Sequence, residues 1–115
     1  MNREQVKADI LKYIREKDHV SYAEIEQIFE QDGYPYKGEG VICSPANDMV
    51  VFWQGWNSDA ASIIGELKQE GKVFQQPTSA FPYWTEGRYL KLPFVRRAYP
   101  YKTEHWLPLV FRPIT

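Results

Sequence analysis

Apolar residues recur at spacings of three and four in three stretches of the chain, and a period of two replaces them in a fourth. In residues 3–17, Val6, Ile10, Tyr13 and Ile14 fall on one face of a helix, and Leu11 widens the stripe. Glu4, Lys7, Lys12, Arg15 and Glu16 belong to its wet side. A second helix starts at Ser21. Ser21 and Glu24 have the spacing of a capping box, and Val20 and Ile25 that of a hydrophobic staple. Ile25, Ile28 and Phe29 supply its buried face and Gly33 its stop. A third helix is capped by Asn57 or Ser58, carries Ala60, Ile63, Ile64 and Leu67 as its stripe, and ends at Gly71. Gly65 in its middle costs about 1 kcal/mol relative to alanine.

The remaining pattern is shorter in range. Residues 33–48 hold three glycines, two prolines, Asn47 and Asp48, which predicts a long loop. The apolar run MVVFW at 49–53 reads as a strand, as do residues 72–76. After a turn at 77–79, residues 81–85 and 88–92 read as a hairpin around Glu86-Gly87. In the second of these, Leu90 and Leu92 face one way and Tyr89 and Lys91 the other. The tail, 94–115, is too apolar for a linker. Phe94, Trp106, Leu107, Leu109 and Phe111 are expected to pack on the core or on a partner. The expected architecture is α+β over a single domain, 1–115: three helices, a small antiparallel sheet with a hairpin wing, a core spanning 3–93 and a packed aromatic tail.

The order helix, helix, helix, hairpin over residues 3–93 resembles the winged helix-turn-helix superfamily. That resemblance implies a third helix and a hairpin turned toward DNA. The chain departs from the pattern between the second and third helices, where a long insertion replaces a tight turn. The strings VFWQGWN (51–57), GKV (71–73), GRYLKLP (87–93) and YKTEHWLPL (101–109) are also similar to small uncharacterised proteins carried by prophages and mobile islands of Gram-positive bacteria. This second resemblance implies a phage-borne context and brings no activity with it.

Composition narrows the class. A chain of 115 residues with 43% apolar and 25% charged residues is long enough to bury a core without disulfides or metal. The single cysteine, Cys43, excludes an intrachain disulfide, and together with His19 and His105 it offers no zinc-like ligand spacing. No metal or cofactor is expected, and a reducing, cytoplasmic setting fits. The first residues show no signal peptide, and no stretch approaches the roughly 20 apolar residues that span a membrane.

The net charge of −1 hides a split. Residues 1–70 hold 7 Lys/Arg and 13 Asp/Glu, whereas residues 71–115 hold 7 Lys/Arg and 2 Asp/Glu. Such asymmetry marks either a nucleic-acid surface or two halves that attract each other within the fold.

Two candidate nucleic-acid surfaces follow. Asn57, Ser58 and Ser62 lie where a recognition helix would contact bases, but Asp59, Glu66 and Glu70 oppose phosphate neutralisation and only Lys68 favours it. Lys72, Arg88, Lys91, Arg96, Arg97 and Lys102 instead concentrate where Glu86 is the only acid. Tyr83, Trp84, Tyr89, Tyr99 and Tyr101 interleave with them, a combination suited to tracking phosphates and stacking on bases. The alternative is an ordinary ribbon with a basic wet face. Trp53, Trp56 and Trp106 are either core or anchors for a protein partner. No catalytic constellation emerges. The sequence therefore favours a non-enzymatic nucleic-acid-binding or regulatory accessory protein that uses a basic hairpin and tail. The alternative is a protein–protein interaction module that keeps the scaffold without binding DNA, and a homo-oligomer is compatible with both.

Overall fold

The computed structural model describes residues 2–115, and these build an α+β fold with four helices and two small sheets. Helix α1 (Arg3–Lys17) is capped by the Asn2 side chain, which accepts from the Gln5 backbone at 2.8 Å. It buries Val6, Ile10, Leu11 and Ile14 of the predicted stripe and leaves Tyr13 half-buried. Strand β1 (Val20–Ser21) leads into α2 (Tyr22–Asp32), where both halves of the Ser21/Glu24 capping box form. Val20 and Ile25 are fully buried, as a staple requires. Gly33 then takes the left-handed conformation (φ 67°), and the Tyr34 amide closes the helix on the Phe29 carbonyl.

The segment expected to be a loop contains a strand. Strand β2 (Lys37–Cys43) pairs antiparallel with β3 (Val50–Trp56) through an irregular, bulged register. Its glycines serve close approach rather than looseness. A Cβ on Gly38 would stand 2.7 Å from the Asn57 Cα, and one on Gly40 would stand 2.5 Å from the Trp56 carbonyl oxygen. Helix α3 (Ser58–Gln69) follows, capped by Asn57, whose side chain accepts from the Ala60 amide at 2.8 Å. Ala60, Ile63, Ile64 and Leu67 are buried as expected.

The expected hairpin is absent. Strand β4 (Val73–Pro77) forms, but residues 81–86 are helix α4 (Phe81–Glu86), and Gly87 (φ 71°) is its left-handed cap. This makes four helices rather than three. Pro82 in the first turn removes an amide that has no helical partner anyway. The aromatic run that resembles a strand is helical because its one buried member, Tyr83, is anchored across the core. The Tyr83 hydroxyl donates to the Leu109 carbonyl at 2.6 Å and accepts from the Tyr22 amide at 3.2 Å. Residues 88–92 keep Leu90 buried but pair with no strand.

The real partner of β4 lies in the tail. After the short β5 (His105–Trp106), β6 (Leu109–Pro113) runs antiparallel to both β1 and β4, giving the order β1-β6-β4. The second sheet has the order β2-β3-β5. The core therefore extends past residue 93. Tyr22 joins the two sheets: its ring stacks 6.0 Å from Trp53 and meets Trp56 and Phe111 edge-on. The buried apolar residues of α1, α2, α3 and both sheets form one cluster. No helix among the described residues is long and apolar enough to cross a membrane.

Candidate nucleic-acid interface

The exposed face of α3 is occupied by the protein's own α1. The Arg3 guanidinium donates to Asp59 (3.2 Å), to the Ser62 hydroxyl (2.7 Å) and to both oxygens of Glu66 (2.9 and 2.6 Å). Lys7 bridges Glu66 and Glu70 at 3.1 and 2.7 Å. Arg3, then Lys7, hold the Glu66 carboxyl down at about 2. Asp59 also accepts from the Tyr34 hydroxyl. Of the three residues expected to read bases, Asn57 is committed to the helix cap and to the Pro35 carbonyl, and Ser62 to Arg3 and the Asp59 carbonyl. Only Ser58 is exposed with its side chain uncommitted among the described residues. The acidic helix is thus a neutralised surface.

The basic half divides in two. Lys72 pairs with Glu70 at 3.5 Å, and Arg112 with Asp18 at 3.0 Å. Arg88 pairs with Glu26 and Glu30, each at 3.1 Å. These contacts join the basic half of the chain to its acidic half. The carboxylate of Glu26 is the centre of that junction. One oxygen accepts from Arg88, and the other accepts both indole N–H groups of Trp53 and Trp56, at 2.8 and 2.9 Å. Glu30 lies below its ordinary range because the Tyr36 hydroxyl and Arg88 donate to it.

The other four cations, Lys91, Arg96, Arg97 and Lys102, are exposed and form no ion pair among the described residues. All four lie between α4 and β5, and Arg96, Arg97 and Lys102 fall in the part of that segment, 93–106, that is anchored at its base. Pro93 and Val95 hydrogen-bond the backbone of Trp106 at 2.8 and 2.9 Å, and Phe94 stacks on the Trp106 ring with centroids 5.7 Å apart. The Tyr101 hydroxyl accepts from the Arg96 amide and donates to the Arg97 carbonyl, both at 3.2 Å. Asn47 holds the Tyr101 carbonyl, and His105 lies against the Tyr101 ring, centroids 4.0 Å apart. The Arg97 guanidinium rests 5.2 Å from the centre of the Tyr99 ring. Arg96, Arg97 and Lys102 are therefore displayed from a closed turn.

Beside this loop lies an open groove of about 420 Å³. Trp84 of α4, Phe94, Val95, Leu107 and Pro108 make its apolar walls, and Thr78, Ser79 and Arg96 supply polar groups. Trp84 is 55% exposed and Phe81, also on α4, is 65% exposed. The periodicity of the sequence gives no hint of this groove, because it depends on α4 being a helix; Pro82 just inside a helix start was the one local signal.

Of the two roles open to Trp53, Trp56 and Trp106, core or anchor for a protein partner, the structure places all three in the core. Trp53 is 3% exposed and Trp56 and Trp106 are fully buried, because Glu26 and the Phe52 carbonyl satisfy their indole N–H groups inside the protein. The exposed tryptophan is Trp84 instead. Among the described residues no group of three or more His, Cys, Asp and Glu is placed to hold a metal ion. Comparison with protein-family models, with curated proteins and with solved structures finds no match.

Proposed function

We propose that the protein is a non-enzymatic nucleic-acid-binding or regulatory accessory protein built on a winged-helix scaffold. Support for the scaffold is the order of its parts: three helices, then β4 and β6 returning antiparallel after α3, with the connecting wing enlarged to residues 78–108. Binding would run through that enlarged wing and not through α3, whose outward groups are taken up by α1. The observation that carries the reading is the contrast in charge pairing. Arg96, Arg97 and Lys102 stand unpaired on a pinned loop, while the acids of α3 are neutralised internally. Unpaired cations on an ordered turn suit phosphate oxygens, since neutralising phosphates releases condensed counterions.

The test is binding to a fluorescent mixed-sequence duplex and to a single strand across a salt series. The expected result is micromolar affinity that weakens linearly in log salt, and a weaker, flatter response in Arg96→Glu/Arg97→Glu. Absence of binding to both ligands at low salt, or an unchanged double variant, would sink the proposal. A second reading, a protein-interaction module, is favoured by the exposure of Phe81 and Trp84 on α4. In that case a protein ligand, not nucleic acid, would protect Trp84 from acrylamide.

A further inference from the structure

We infer that the groove between α4 and the basic loop receives an unpaired nucleobase, so that the protein prefers single-stranded nucleic acid to duplex. The inference rests on the nucleic-acid reading above and names the form of nucleic acid that the site accepts.

Size and lining come first. A groove of about 420 Å³ lies within the roughly 300–1,000 Å³ typical of small-ligand sites. Its walls are aromatic or aliphatic, so they match the apolar faces of a base. Phe94 is held rigid by stacking on buried Trp106. Trp84 meets Phe94 edge-on with centroids 6.5 Å apart and leaves much of its indole to solvent. A base sliding against Trp84 would cover apolar surface that the protein leaves open, and every base has a face for that contact.

The polar groups fit the rest of a nucleotide. Arg96 lines the groove itself, and its guanidinium has no partner among the described residues. Its backbone amide is fixed by Tyr101, so the side chain leaves from a set position next to the apolar walls. Arg97 and Lys102, on the same loop, add two more exposed cations to the segment that carries Arg96. Thr78 and Ser79 place hydroxyls at its edge. Ser79 accepts from the Phe81 amide at 3.3 Å, which leaves its hydroxyl proton for an acceptor on a base. The combination is an apolar slot lined by one unpaired cation, Arg96, and it complements a stacked base with its phosphate outside. A base within a duplex is paired and stacked on both faces, so it would have to leave the helix to enter.

The experiment uses the intact protein, fluorescein-labelled oligo(dT) of about 20 nucleotides, and a duplex of the same length. Wild type, Trp84→Ala, Trp84→Phe and Arg96→Glu/Arg97→Glu are compared by anisotropy, with intrinsic fluorescence recorded on unlabelled oligo(dT). The inference expects oligo(dT) to bind tighter than duplex. It expects Trp84→Ala to weaken oligo(dT) by roughly tenfold while leaving duplex binding unchanged. Trp84→Phe should retain most of the affinity. In the wild type, oligo(dT) should quench the exposed indole, and that quench should be missing in Trp84→Phe, a readout that does not depend on the alanine variant folding. Equal affinity for both ligands with no quench would overturn the inference while leaving the electrostatic reading intact. Failure of both ligands to bind would overturn both.

Discussion

Two surfaces of this protein carry dense charge, and they handle it in opposite ways. On the face where α1 lies along α3, Arg3 and Lys7 reach four acceptor side chains, Asp59, Ser62, Glu66 and Glu70, so the acids of α3 are neutralised within the fold. On the loop between α4 and β5, Arg96, Arg97 and Lys102 meet no acid at all among the described residues. Counting charges along the sequence marks one region as acidic and the other as basic, but not which charges are already paired. What separates them is register: α1 places a cation opposite each acid of α3, whereas the basic loop is closed by a tyrosine hydroxyl and leaves its cations facing outward. Charge of the first kind orients one helix on another. Charge of the second kind is available to a ligand.

The largest expected effect lies between these surfaces, at Glu26. Glu26→Ala would strand two buried indole donors and Arg88, and should cost about 2–4 kcal/mol in urea unfolding. Affinity for oligo(dT) should not change, because none of the unpaired cations depends on Glu26. A loss of binding without a loss of stability would erase the distinction between the two kinds of charge. Arg96→Glu/Arg97→Glu is the converse. Affinity should fall at least about tenfold and the salt slope should flatten, while stability stays within about 0.5 kcal/mol of wild type.

A smaller effect is expected on α3. A Cβ at Gly65 would meet no atom within 4 Å, so Gly65→Ala should raise stability by about 0.5–1 kcal/mol, measured from the urea midpoint. A destabilised variant would mean that the helix is packed more tightly there than the geometry indicates. The smallest effect concerns pH. Glu66 titrates at about 2 in the folded protein and at an ordinary 4.5 when unfolded. Its pairing therefore contributes stability above pH 4.5 that disappears as the pH falls toward 2. Arg3→Gln should lower the neutral-pH urea midpoint slightly, and its difference from wild type should shrink across that window. A difference that persisted below pH 2 would show that Arg3 acts through packing instead.

The helices of the first 70 residues were legible because their signals are local. Ser21 and Glu24 are three residues apart, Asn57 caps the residues just after it, and each stripe repeats every three to four positions. The strands at 49–53 and 72–76 were legible as apolar runs, but β2 read as loop because of its glycines, and β6 is defined by partners far along the chain, in β1 and β4. Gly38 and Gly40 read as looseness, yet each allows backbone to pass where no side chain fits. Residues 81–85 read as a strand because aromatic residues favour strands, and long-range anchoring of Tyr83 outweighed that preference. The candidate cations were visible in composition. Which of them are free was not, since pairing between Arg88 and Glu26 spans a separation of 62 residues. Trp84 was visible only as one aromatic among many, and the groove it lines depends on the unforeseen α4.

The middle strand of the first sheet is β6, the last of the described strands in chain order. During translation β1 and β4 emerge long before the strand that joins them, and Tyr83 waits for the Leu109 carbonyl that its hydroxyl will reach. Without residues 109–113, β1 and β4 have no strand between them to pair with. Closing this sheet therefore depends on contacts between segments about 90 residues apart, such as Val20 with Phe111, and those contacts form late in folding.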